Sequence, residues 1–213
     1  MFQKLLSYFL PVFCVAFISC NKNEVSPGDD PGTPQTHVYT LTDITYFMAD
    51  GDGIDTSTVR LPGFELRNSS NVIAERDVKV DYDELVKKSL FIIHTPQSSL
   101  PDGMVLDTFK MKVPANWSAS GDYTLAIAGF PFTAEEQEVP YDHTSEDILN
   151  VKIPPASKFE VTAGIDRYNL LCSFRAVFKN QSTGIEHTVT GKWKGTLRYN
   201  NLSVSVEESS ITR

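Results

Sequence analysis

From Val38 onward the apolar residues of this chain tend to fall on every second position, and that alternation restricts its fold more than any other feature. It is present in the first half of Val38–Phe47, then in Phe64-Glu-Leu, Val78-Lys-Val-Asp-Tyr and Phe109-Lys-Met-Lys-Val. It returns in Tyr123-Thr-Leu-Ala-Ile, Val151-Lys-Ile, Phe159-Glu-Val and Leu202-Ser-Val-Ser-Val. A period of two puts successive side chains on opposite sides of an extended backbone, so each segment reads as a strand with one buried face. Turn chemistry punctuates them at Asp50-Gly-Asp-Gly, Pro62-Gly, Asn68-Ser-Ser-Asn, Pro101-Asp-Gly, Ser120-Gly-Asp, Pro154-Pro and Tyr199-Asn-Asn. The one helical signal is Asp81–Leu90 (DYDELVKKSL), which reads either as two helical turns or as a strand with a charged face. The expected fold class is all-β, an elongated antiparallel β-sheet or a β-sandwich.

The segment ahead of this region has a different texture. Lys4 precedes the apolar run Leu5–Ile18, and the small residue Ser19 stands directly before Cys20. A charged start, an apolar stretch and a small residue at the cut site describe a signal peptide over residues 1–19. The run is shorter than the ~20 residues of a spanning helix, and Pro11 interrupts it. Phe17-Ile-Ser-Cys20 followed by Asn21 resembles the lipobox of bacterial lipoproteins. That resemblance implies lipidation of Cys20, cleavage just before it, and attachment to a membrane through the lipid. Residues 20–37 carry Cys20 and a tether with one aliphatic residue, Val25, three prolines and two glycines. Such a composition buries no core and reads as a linker that reaches about 50 Å when extended. Lys22 and Glu24 resemble the surface-export signals of lipoproteins of the Bacteroidetes lineage. The implied location is the outer membrane, on the cell surface or on the periplasmic face. Residues 38–213 form the β domain, either as one piece or as parts 38–74 and 75–213.

Loss of residues 1–19 removes one lysine and no acid, leaving 18 basic against 27 acidic residues, a net charge of −9. That excess of acid excludes nucleic-acid binding, which needs clustered cations. It also excludes simple electrostatic docking on an anionic bilayer, which a lipid anchor does not need. Cys14 leaves with the signal and Cys20 takes the lipid, so Cys172 alone remains in the folded part and no internal disulfide is expected. Its apolar neighbours Leu170, Leu171 and Phe174 mark a buried, inert thiol.

No catalytic signature stands out. Asp50, Asp52 and Asp55 offer calcium-type oxygen donors, but EF-hand spacing from Asp50 puts Ile54 at the fifth position and Leu61 at the twelfth. Asp-Gly also favours a hairpin turn there. His37, His94, His143 and His187 are far apart in sequence. The acidic stretch Glu135, Glu136, Glu138, Asp142, Glu146 and Asp147 reads as a solvated face, with acid–base or metal work as the other reading. There is no G-x-S-x-G, no P-loop and no Cys/His metal pattern, so neither an enzymatic activity nor a cofactor is expected. Trp117 lies in a turn-rich link, where it either stacks on a ligand such as a sugar or packs back on its own hairpin. Trp193 alternates with Lys192 and Lys194, which predicts a core indole with both lysines on the opposite face.

Residues 75–208 carry a further resemblance. Val151-Lys-Ile-Pro-Pro-Ala-Ser-Lys is a strand–turn–strand, Leu171-Cys-Ser-Phe-Arg-Ala-Val-Phe is a longer strand, and Gly191-Lys-Trp-Lys-Gly leads into Leu202-Ser-Val-Ser-Val. The series resembles the C-terminal region of the aerolysin-type pore-forming toxins, the epsilon-toxin branch above all. The resemblance implies a long-stranded β fold and an amphipathic hairpin that leaves the sheet, several copies building a membrane barrel. The corresponding stretch is 104–130. Phe109, Met111 and Val113 would form the lipid face of one arm, and Tyr123, Leu125 and Ile127 that of the other. Pro114 at the tip end of the first arm departs from that pattern. The function expected is a non-enzymatic binding or interaction module at the outer membrane with a glycan or protein ligand. The alternatives are an aerolysin-type toxin acting as a homo-oligomer, and a pilus-type structural lipoprotein that exchanges a strand.

Overall fold

Two strands of unusual length organise the molecule. In the computed structural model, which describes residues 38–142 and 147–211, Ser157–Asn180 and Glu186–Ser210 pair along their whole length as one antiparallel hairpin. In chain order the strands are β1 (Tyr39–Phe47), β2 (Gly53–Asn68), β3 (Ala74–Lys79), β4 (Val86–Ile93), β5 (Lys110–Trp117), β6 (Tyr123–Pro131), β7 (Gln137–Pro140), β8 (Ile148–Ile153), β9 (Ser157–Asn180) and β10 (Glu186–Ser210). The fold is all-β with antiparallel pairing throughout the described residues. β4 lies on the outer edge of β10, and β7 lies beyond β4. β3–β8 and β5–β6 form two separate ribbons. Asp81–Leu90 is not helical: a turn at Asp83 and Glu84 precedes β4, and the strand alternative holds only from Val86 onward.

Three of the turn signals do not reverse the chain. Asp50-Gly-Asp-Gly has the chemistry of a hairpin turn but does not close one. Instead β1 ends with Phe47 opposite Ser173, and β2 begins with Gly53 opposite Leu171, so both run the same way along β9. The loop is an excursion from one long edge strand. Pro62-Gly63 sits in a register shift between Leu61 and Phe64 within β2. Proline is tolerated there because a bulge releases its position from the ladder. Asn201 adopts φ 58° in a second shift within β10, opposite the Gly164–Asp166 part of β9. Asp166 ties both flanks: Thr58 Oγ1 donates to its Oδ1 at 2.9 Å, and Asn201 Nδ2 donates to its Oδ2 at 3.3 Å.

The core changes face along the sheet: one face is buried at the Leu170–Phe178 part of β9 and the other at its Phe159–Ile165 part. Alternate residues Leu170, Cys172, Phe174, Ala176 and Phe178 of β9 meet Val189, Trp193 and Leu197 of β10, Tyr46 of β1 and Phe91 of β4. The β5–β6 ribbon covers them with Met111, Val113, Trp117 and Phe130, and Phe132 follows directly. Edge-to-face contacts such as Phe91–Phe132, 4.9 Å between centroids at 90°, fix the ring geometry. On the opposite face further along β9, Ile153 of the β3–β8 ribbon packs with Phe159 and Val161, and Val80, Tyr82 and Leu85 pack with Leu61, Ala163, Ile165 and Tyr199. Trp193 shows why Gly191-Lys-Trp-Lys-Gly carries its glycines. A Cβ on Gly195 would stand 2.3 Å from the indole Cζ2, and one on Gly191 would stand 2.1 Å from the Ile92 carbonyl oxygen. The indole lies over Gly195, and its Nε1 donates to Ser89 Oγ at 2.8 Å.

Candidate functional site

Because Trp193 faces the core, the period of two turns Lys192 and Lys194 to the other side of the sheet. Register then decides what joins them. Lys192 stands opposite Ser173, Lys194 opposite Leu171, and on the next strand Ser57 stands opposite Arg167 and Asp55 opposite Asn169. Lys88 of β4, on the far flank, projects away from core-facing Ser89. Apart from Lys192 and Ser173, which lie beside it, these positions line a groove of about 400 Å³ on the side away from Trp193, bounded by Gly53, Asp55 and Ser57 at one side and Lys88 and Glu136 at the other.

The charges in and beside the groove are unevenly matched. Lys192 Nζ donates to Asp52 Oδ1 at 2.7 Å, while Ser173 Oγ and the Ala49 N–H donate to Oδ2 at 2.8 and 2.9 Å. Desolvation alone would raise the Asp52 carboxyl. The hydrogen bonds from Lys192, Ala49 and Ser173, with the Lys192 charge, outweigh it and hold the carboxyl below its ordinary value. Lys88 is taken by Glu138 and by Glu136, the latter at 2.9 Å, and these bonds raise its pKa. Among the described residues no such carboxylate partner exists for Arg167 or Lys194. Arg167 Nε and Ser57 Oγ, side by side across the β2–β9 pair, are closed off from solvent with no hydrogen-bond partner. A buried polar atom left unpaired costs about 1–3 kcal/mol, so the groove holds unmet donor capacity.

The residues picked out in the sequence lie elsewhere. Trp117 is not an exposed tip: it is 7% exposed and stacks on Tyr123 with centroids 5.1 Å apart at 16°. The ring is therefore closed to a sugar, and packing back on the hairpin is the geometry found. Tyr123 is held in turn, its hydroxyl accepting from the Tyr46 N–H at 3.1 Å. The expected apolar face of the hairpin holds for only part of its residues. Met111 and Val113 are fully buried and Phe109 packs on Phe178, but Leu125 is exposed and Ile127 is 97% exposed. The pairing steps from Lys112–Gly129 to Pro114–Leu125, so Ala126–Ala128 bulge out opposite Val113 and the alternation slips.

Asp50, Asp52 and Asp55 do not converge. Asp52 is turned into the Lys192 ion pair, Asp55 lines the groove and Asp50 is exposed in the loop. No group of three or more metal-ligating side chains stands together among the described residues. The acidic stretch is divided: Glu136 and Glu138 bind Lys88, and Asp147 accepts from the Tyr82 hydroxyl at 2.6 Å. Cys172 is buried, and desolvation with the nearby Asp52 charge pushes its thiol up to about 12. Cys20, His37, His143 and Glu146 lie outside the described residues. Arg167 and Ser57 carried no sequence signal, since only pairing of distant strands brings them together.

The fold and groove define a class: an antiparallel β-sheet protein whose core changes face along the sheet, with a charged groove beside it. No protein-family description and no curated protein matches the chain. Solved structures with similar strand arrangement include the lamprey immune protein, 15% identical, covering 80% of this chain and 53% of its own length at a TM-score of 0.45. This chain thus spans about half of that protein. Parasporin-2, a Bacillus thuringiensis toxin that recognizes cancer cells, is 12% identical over 81% of this chain and 75% of its own, at 0.39. An aerolysin-like protein of Bombina maxima is 12% identical over 81% of this chain and 97% of its own, at 0.33. Likeness this distant extends to strand arrangement alone.

Proposed function

We propose that this protein is an exported, lipid-anchored binding module of the outer membrane, without catalytic chemistry, that takes a glycan or protein ligand in the charged groove. The observation that carries the reading is the pair Arg167 and Lys194: two groove-lining cations that no described carboxylate neutralises. The anchor rests on the lipobox-like Phe17–Cys20 and the linker that follows. Two experiments test it. Cys20→Ser abolishes lipid labelling and frees the protein from membranes; unchanged retention refutes the anchor. A glycan array and a surface pull-down are run with the native protein and with Arg167→Ala and Lys194→Ala. Ligand capture that survives both substitutions refutes the groove.

One observation favours the pore reading. Among the described residues the β5–β6 ribbon pairs with no other strand, so its departure would break no ladder hydrogen bond with the sheet. It would instead strip Met111, Val113 and Trp117 out of the core, and its arms of 8 and 9 residues sit at or below the ~9–11 of a membrane strand. Dye leakage from liposomes with SDS-resistant oligomers supports this second reading; persistent monomer without leakage rejects it.

A further inference from the structure

Resting on the binding reading, we infer that the groove takes an acidic saccharide: a singly charged oxyanion on a polyhydroxylated body, held by Arg167 and Lys194. The charge count sets the anion. Lys88 is already held by Glu136 and Glu138, so Arg167 and Lys194 face Asp55, and one net positive charge is left to a ligand there. One carboxylate or sulfate ester balances it, whereas a phosphate monoester, at about −1.5 to −2, overshoots it between two carboxylates. The unmet donors set the anchor. Arg167 Nε and Ser57 Oγ are adjacent, partnerless and shut from water. A small turn of either side chain toward the groove gives both to one oxyanion, the guanidinium edge offering the paired geometry that a planar acceptor prefers.

The remaining lining sets the body. Asp55, Glu136 and Asn169 are acceptors or amide groups flanking the cations. Carboxylates at that position repel a second anion and accept hydrogen bonds from hydroxyls, so they select a sugar over a polyanion. Gly53, where an added Cβ would meet nothing within 4 Å, leaves room above its strand, and Leu171 supplies an apolar floor. The volume of about 400 Å³ lies within the range of small-molecule sites.

The test is calorimetric titration of the full mature chain in detergent. The probes are galacturonic acid, its methyl ester, galactose 6-sulfate, galactose and inorganic sulfate. The expected result is binding of galacturonic acid or galactose 6-sulfate, the stronger of the two identifying a carboxylate or a sulfate ester, with no binding of the ester or of galactose. Arg167→Gln and the surface change Lys194→Gln each weaken it at least tenfold at unchanged melting temperature, and Asp55→Asn weakens it as well. Equal binding of the neutral probes overturns the anion. Equal binding of inorganic sulfate, or tighter binding by Asp55→Asn, overturns the sugar body. If neither acidic sugar binds while the array or pull-down still reports capture dependent on Arg167, the inference falls and the binding module stands.

Discussion

Gly195→Ala puts the packing around Trp193 to its sharpest test. One methyl group is added, and it has no room. The new Cβ would lie 2.3 Å from Trp193 Cζ2, 2.8 Å from Cη2 and 2.5 Å from the Lys88 carbonyl oxygen. Carbon–carbon contacts settle near ~3.5 Å, so the indole must retreat by roughly 1 Å. It cannot retreat freely. Trp193 is fully buried, Tyr46 lies edge-on to it at 6.3 Å, and Ser89 holds its Nε1 at 2.8 Å. Overpacking costs about 1–3 kcal/mol, and an indole N–H pulled from its partner adds about 1–3 kcal/mol. We expect a loss of about 3 kcal/mol, or roughly 6–12 °C in Tm for a domain of this size. Gly53→Ala is the control, since its Cβ meets nothing within 4 Å. That change is expected to be neutral or to stabilise by about 0.4–1 kcal/mol through the unfolded chain. Urea denaturation followed by tryptophan fluorescence measures both. Trp193→Phe removes the clashing ring edge, so the double variant should lose less than the two single losses predict. If Gly195→Ala unfolds within about 0.5 kcal/mol of the native protein, the steric role assigned to the glycines of Gly191-Lys-Trp-Lys-Gly is wrong.

Three further outcomes are expected. Asp52 has a depressed carboxyl pKa in the folded state. Its contribution is therefore complete above about pH 4 and fades as pH falls through the folded value. Asp52→Asn should cost about 1 kcal/mol at neutral pH, a figure discounted for nearby water. The gap to the native protein should close below about pH 4 in acid titrations of stability; a constant gap refutes the ion pair with Lys192. Trp117→Ala should lose about 3–5 kcal/mol as a core deletion, whereas exposed Ile127→Ser should change stability by less than about 0.5 kcal/mol. Denaturant midpoints that rank the two in reverse order would sink the assigned hairpin packing. Finally, Cys172 should resist thiol reagents at mildly alkaline pH in the native state and react once unfolded. Its raised folded value keeps the thiol neutral, so stability it supports below about pH 8.5 is lost as pH climbs toward 12. Fast native labelling would contradict its burial.

Much of this molecule is legible in the order of its residues. The period of two names the strands and gives correct faces to Trp193, Lys192, Lys194 and Cys172, because a strand's side-chain alternation is local geometry. What local chemistry leaves open is the partner. Asp50-Gly-Asp-Gly, Pro62-Gly and Tyr199-Asn-Asn carry the composition of turns, yet each interrupts a strand that continues in the same direction. A reversal and a bulge ask the same of the backbone, and only pairing with β9 tells them apart. The bulge at Ala126–Ala128 spoils the alternating face of the hairpin for a like reason, since register belongs to two strands and neither one encodes it alone. The groove is the clearest case. Ser57 and Arg167 are far apart in the chain, and their meeting depends on hydrogen bonds between β2 and β9. The sequence by itself determined strand identity and charge, and it carries the motif behind the proposed anchor at Cys20. Tertiary structure alone decided where the unpaired cations gather, because a site made by cross-strand neighbours exists only once the strands have paired.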